Sequence, residues 1–213
     1  MGTFKKGILG GFSGKVGTVV GASWRGLDVM RSLPKRTRTG ASQQQVSQRQ
    51  RFAAVMEFLS PLTSILASYF GSPSGTSSRL NSAASYHLKM AVIGDSPNFS
   101  IDYTKVMVSK GELVGVRAAV VTASAVGSIE ATWDDNSDAV LAQATDQLLL
   151  VLYNGAKSQF VVVHGPATRA DATATVAIPS DFAGDSLHVW ASFVNPTQSK
   201  AATSVYLGTV VAL

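Results

Sequence analysis

Ser128-Ile-Glu-Ala-Thr-Trp133, then Asp134-Asp-Asn-Ser-Asp138, then Gln147-Leu-Leu-Leu-Val-Leu-Tyr153 is the stretch on which the fold turns. Two apolar segments of strand length flank a cluster of turn formers, a strand-turn-strand signal. The pattern continues on both sides, with strands expected near 100–109, 112–121, 158–163, 172–178, 187–194 and 204–211. Asn154-Gly155, Gly165-Pro166, Pro179-Ser-Asp181 and Asn195-Pro-Thr197 separate them. Short strands with turn signals roughly every 8 to 20 residues describe an antiparallel β-sandwich.

Upstream the period becomes helical. Ser42 and Gln45 have the spacing of a capping box, and Val46, Phe52, Ala53, Met56 and Leu59 recur at helical intervals, predicting a helix over 42–59. Ser60-Pro61 ends it and opens a second helix carrying Leu62, Ile65, Leu66, Tyr69 and Phe70 as far as Gly71. The run Gly71-Ser-Pro-Ser-Gly-Thr-Ser-Ser78 reads as a loop, and Leu80, Ala84, Leu88 and Ala91 fit one face of a third helix closing near Gly94.

The first 26 residues hold eight glycines, and each costs a helix about 1 kcal/mol relative to alanine. The segments 16–24 and 27–33, joined at Arg25-Gly26, predict instead a glycine-rich β-hairpin. The expected class is therefore α+β: a basic arm over 1–40, a helical segment over 41–98 and an immunoglobulin-like sandwich over 99–213. A two-stranded hairpin is marginal in water, so the arm needs a surface to lie on. Val19, Val20, Trp24, Val29 and Met30 are its candidate assembly interface.

Composition narrows the chemistry. The 213 residues include no cysteine, which excludes a disulfide framework, a cysteine zinc site and thiol catalysis. Residues 1–100 carry +9 and residues 101–213 carry −4, giving the net +5. Arg25, Arg31, Lys35, Arg36, Arg38, Arg49 and Arg51 crowd into 27 residues beside the single acid Asp28. They are candidate contacts for nucleic acid or an acidic partner. No apolar run reaches the roughly 18 residues of a membrane span, and the N-terminal stretch reads neither as a signal peptide nor as an anchor. The compartment stays open.

Known site patterns fail on particular residues. Gly14-Lys15 suggests a phosphate loop, yet Val16 stands where Ser or Thr is needed and Leu9 where the first glycine belongs. Gly14, Gly17 and Gly21 do not give the dinucleotide fingerprint. His87, His164 and His188 occur singly, without metal-ligand spacing. Ser13 lacks the last glycine of a nucleophile elbow. Asp134, Asn136 and Asp138 match the first three ligands of a calcium loop, but Ala139 replaces the glycine and Thr145 the terminal glutamate, leaving a polar loop. Trp133 and Trp190 are expected in the sandwich core. No cofactor is implied, and Asn98-Phe-Ser100 is a formal glycosylation sequon.

Residues from about 115 to 213, with Ile129-Glu-Ala-Thr-Trp133 at their centre, resemble a fibronectin type III or immunoglobulin-like domain without a disulfide. Gly14-Lys-Val-Gly17, Trp24-Arg-Gly26, Arg31-Ser-Leu-Pro34 and the segment from Thr39 to Phe52, with its Gln45, Arg49 and Arg51, resemble an uncharacterised protein family from Bacteroidetes. That resemblance implies a glycine-rich start ahead of a sandwich and carries no activity. The leading expectation is a non-enzymatic, self-assembling structural protein, a homo-oligomer and a component of a virion, phage-like particle or surface filament. The alternatives are nucleic-acid binding by the basic segment, or a carbohydrate- or protein-binding module using the loops 134–138, 154–157 and 195–201.

Overall fold

The computed structural model describes residues 2–3, 12–34, 40–73 and 77–213. They fall into two compact units, Met1–Gln43 and Gln44–Leu213.

The first unit is an antiparallel sheet of β1 (Gly2–Thr3), β2 (Gly14–Val16), β3 (Val19–Trp24) and β4 (Leu27–Ser32), in the order β1-β4-β3-β2. The expected hairpin is β3–β4, closed by Trp24 opposite Leu27. Its turn residues Arg25 and Gly26 have φ of 51° and 77°, the pair of positive values that suits the twist of a tight hairpin. The single strand expected over 16–24 is corrected. Gly17, at φ 60°, turns the chain back so that Lys15 pairs with Val20.

The second unit begins with α1 (Gln43–Leu59) and α2 (Thr63–Tyr69), joined by a single tight turn at Ser60–Leu62 that holds Pro61. The third helix, α3 (Arg79–Met90), starts where the Ser78 hydroxyl accepts from the Asn81 N–H. It stops short of the predicted end at Gly94. That glycine lies in the hairpin of β5 (Val92–Asp95) and β6 (Asn98–Ile101), where a Cβ would sit 2.5 Å from the Asn98 carbonyl oxygen. The strand expected over 100–109 also fails beyond Ile101. Asp102 Oδ1 accepts from the Thr104 N–H at 3.1 Å and hydroxyl at 2.6 Å, winding Tyr103–Lys105 into a 3-10 turn.

A strap follows. Lys110 N–H donates to Tyr69 O, Gly71 N–H to Lys110 O, and Leu113 N–H to Ala201 O. It leads into β7 (Arg117–Ala125), which starts five residues after the predicted Glu112 because the strap occupies the intervening stretch. Six more strands follow: β8 (Ser128–Asp134), β9 (Gln147–Asn154), β10 (Gln159–Thr168), β11 (Thr173–Ala177), β12 (Ser186–Val194) and β13 (Val205–Val211). One sheet runs β11-β8-β7 and the other β10-β9-β12-β13, with every paired neighbour antiparallel. Seven strands form the sandwich, rather than eight, in the three-over-four arrangement of an immunoglobulin-like fold.

Successive β9 side chains point to opposite faces, and both faces are covered. Leu148, Leu150 and Leu152 join Ile129, Trp133 and Phe193 between the sheets. Leu149, Val151 and Tyr153 join Phe58, Leu62 and Leu66 under the helices. The unit is thus three layers deep, of the α+β class expected from the sequence. The helical run Gln43–Tyr69 is long and apolar enough by length and composition to cross a membrane. Its Val55, Phe58, Leu59, Leu62, Ile65 and Leu66 are buried in the helix-sheet core, where each such side chain contributes about 1.5–3 kcal/mol.

Candidate functional site

The arm buries part of its apolar surface and leaves part exposed. Of the five interface residues proposed from sequence, Val29 is buried, Val19, Val20 and Met30 are half-buried, and Trp24 is 49% exposed. Val16, Leu27 and Leu33 are exposed too. Ala22, Ser23, Trp24, Val29 and Arg31 line a shallow groove of about 290 Å³. The Arg25 guanidinium lies 5.4 Å from the centre of the Trp24 ring, and Arg25 and Arg31 are both exposed. Lys35, Arg36 and Arg38 lie outside the described residues.

The two remaining cations part company on α1. Arg49 is exposed. Arg51 is half-buried and donates from Nη2 to Leu88 O at 2.6 Å, tying α1 to the last turn of α3. Cations suit that position, where helix carbonyls are unpaired.

Strand pairing places 134–146, 168–173 and 194–205 at one end of the sandwich, and 125–128, 154–159 and 177–186 at the other. The loops 134–138 and 195–201 therefore share an end, and 154–157 sits opposite. A buried network holds the shared end. Arg169, fully buried, reaches Asp146 Oδ2 at 2.9 Å, Val114 O at 3.0 Å and Asn136 Oδ1, and its guanidinium lies 4.0 Å from the Phe193 ring centre. Trp133 Nε1–H donates to Arg169 O.

This network settles the geometry of the calcium-like triplet. Asn136 turns inward and also donates to Gly115 O at 3.1 Å, while Asp134 pairs with Arg117 at 3.5 Å. Asp135 and Asp138 stay on the surface. The Ser137 N–H holds the Asp135 carboxyl below its ordinary value. Beside them Val140 is 86% exposed and Leu141 55%, so this loop offers carboxylates and apolar surface together.

A cleft of about 370 Å³ opens between the helices and the 195–201 loop, lined by Ser68, Arg79, Lys110, Glu112, Ser199 and Lys200 among others. Arg79 is held rigidly: Nε donates to Gly71 O at 2.9 Å, and Nη1 to Ser68 O at 2.5 Å and Ala67 O at 3.4 Å. The loop is pinned by Asn195 Oδ1, which accepts from the Ser199 and Lys200 N–H groups, each at 2.8 Å. Lys200 Nζ is 4.0 Å from Glu112 Oε2, with both side chains exposed. Sequence reading passed over this cleft because its cations are single lysines and an arginine spread over 122 positions.

The histidines stay apart. His87 is buried in α3, where Nδ1–H donates to Ala83 O at 2.8 Å and Nε2 accepts from the Met107 N–H at 3.3 Å. Burial pushes its pKa down, against the pull of those two bonds. His188 Nδ1 is 2.8 Å from the Tyr206 hydroxyl, and His164 is exposed on β10. The buried Ser109, Ser192 and Ser204 bond to one another's segments and tie the strap to β12–β13. Among the described residues no group of three or more His, Asp or Glu is placed to hold a metal ion.

Fold and surfaces together define an immunoglobulin-like β-sandwich capped by helices and preceded by a small cationic sheet. The chain belongs to the family described as "Family of unknown function (DUF6266)", whose model matches residues 11–208. No curated protein matches the chain. Among solved structures it is similar to the fibronectin type III domain of the human collagen α-1(XX) chain, at 12% identity and a TM-score of 0.36 over 47% of this chain and 86% of that one. It is also similar to the fibronectin type III domain of human contactin 1, at 9% identity and a TM-score of 0.34 over 49% of this chain and 83% of that one. The strand order of the two sheets carries the fold assignment.

Proposed function

We propose that the protein is a non-enzymatic assembly module in which the N-terminal sheet of one copy docks on the 134–141 loop of another. The carrying observation is the arm itself, a compact sheet that leaves Val16, Trp24 and Leu27 exposed beside Arg25 and Arg31. The loop offers the complementary chemistry, exposed Asp135 and Asp138 next to exposed Val140 and Leu141. Apolar contact supplies the affinity, and opposite charge sets the register and rejects wrong partners. Because the two patches differ, the contact is head-to-tail and generates a ring if it closes or a filament if it does not. A virion, phage-like particle or surface filament is the setting such a module suits.

A charge swap tests this. Wild type is expected to form discrete rings, shells or filaments by light scattering and negative-stain microscopy, and Arg25→Glu with Arg31→Glu to be monomeric. Mixing that variant with a copy carrying Asp135→Arg and Asp138→Arg restores association. A wild type that stays monomeric at high micromolar concentration overturns the reading. Particles that dissolve on nuclease treatment would replace it with phosphate neutralisation by the basic segment.

A further inference from the structure

We infer that the cleft between the helices and the 195–201 loop binds a small oxyanion, a carboxylate or phosphate carried on a hydroxyl-rich molecule such as an acidic sugar. This does not depend on the assembly reading, since Arg79, Lys110 and Lys200 belong neither to the arm nor to the 134–141 loop. The volume of about 370 Å³ lies within the roughly 300–1,000 Å³ typical of small-ligand pockets.

Three cations and one acid face this space, leaving an excess of two positive charges. The cations are not consumed elsewhere. Three backbone carbonyls grip Arg79 through Nε and Nη1, fixing the guanidinium plane, while Nη2 has no acceptor among the described residues. Lys110 Nζ has no partner among them either, and the Lys200–Glu112 pair is open and solvated.

A guanidinium held before the ligand arrives loses little freedom on binding, and its free Nη2 offers a charge-assisted N–H donor to an oxygen of a carboxylate or phosphate. Around these charges Ser68, Ser72 and Ser199 bring hydroxyl-bearing side chains for neighbouring oxygens. Tyr69, the aromatic residue of the lining, is buried. Among the described residues the cleft therefore offers no exposed ring on which a base or a neutral sugar would stack, and charge is the feature that selects.

Calorimetric titration of the full chain with glucuronate, glucose 6-phosphate and uncharged methyl glucoside tests this. Either acid is expected to bind and methyl glucoside not to, with both acids binding pointing to the shared oxyanion and one alone naming its kind. Lys110→Gln and Lys200→Gln, whose side chains carry no internal contact that folding needs, are each expected to weaken the acid about tenfold. No heat from either acid at ten-millimolar concentration, equal binding of methyl glucoside, or unchanged affinity in both variants would overturn the proposal.

Discussion

A guanidinium sealed from water must find its acceptors inside the protein, and Arg169 finds them on three segments, at Asp146, Asn136 and Val114, with the Phe193 ring across its face. A buried pair of this kind adds little over a well-packed apolar substitute, yet removing one partner strands the other charge. Arg169→Ala is therefore expected to cost about 3–5 kcal/mol in urea unfolding. Arg169→Met combined with Asp146→Leu should cost less than the sum of the single changes. The double variant decides between a stranded charge and simple loss of packing. Nothing in Ala167-Thr-Arg169-Ala-Asp171 distinguishes this arginine from a surface one, because the matching acceptors are 23 to 55 positions away. Trp133 was legible as a sandwich-core residue and lies between the sheets. Trp190, expected there too, is buried on the other face of β12 in the core under the helices, because alternate side chains of a strand point to opposite faces.

At the scale of elements, the strap over 103–113 is the part least visible in the sequence. Its Val106, Met107 and Val108 have strand composition, but side-chain bonds from Asp102, His87 and Ser204 direct its path. By contrast β9 is nearly continuous in apolar residues, the signature of a strand covered on both faces, and that run marks the helical layer as well as the sandwich. The strap is also where pH acts. His87 is neutral when it accepts from Met107, and its pKa is depressed below the ordinary 6.5. The unfolded chain therefore takes up the proton first, so this contribution to stability is complete above about pH 6.5 and declines as pH falls through the folded-state value. Chemical denaturation between pH 8 and 5 should show that loss, and His87→Gln should flatten it. His188, whose pKa burial also lowers, continues to titrate in that variant and supplies the residual slope. An unchanged slope in His87→Gln would remove His87 from the account.

Over the whole molecule, charge is segregated along the sequence, +9 before residue 101 and −4 after it. Contacts between opposite surface charges are screened over about 8 Å at physiological ionic strength. Head-to-tail assembly through Arg25, Arg31, Asp135 and Asp138 is thus expected to weaken steadily from 50 to 500 mM salt in sedimentation velocity, in nuclease-treated protein. Association that tightens with salt would indicate arm against arm, where screening relieves repulsion. From the sequence the arm is a two-stranded hairpin expected to need a surface; the structure adds β1 and β2 to its edges, which glycine-rich segments with few apolar residues did not reveal. The exposed Val140 and Leu141 beside Asp135 and Asp138, on which the proposed contact rests, were not legible either, since Asn136 of the same loop folds inward to Arg169 and Gly115.

The direction of the strands also determines how the sandwich carries load. The chain enters β7 at the end held by Arg169 and leaves β13 at the opposite end, where the Leu213 carbonyl accepts from the Gly127 N–H at 3.1 Å. A pull between these two points runs lengthwise, so β7 slides along β8 and β13 along β12, and the hydrogen bonds of each pair resist together. Tension applied through the two ends of the sandwich meets shear resistance, whereas a sideways tug on either edge strand would peel it away bond by bond.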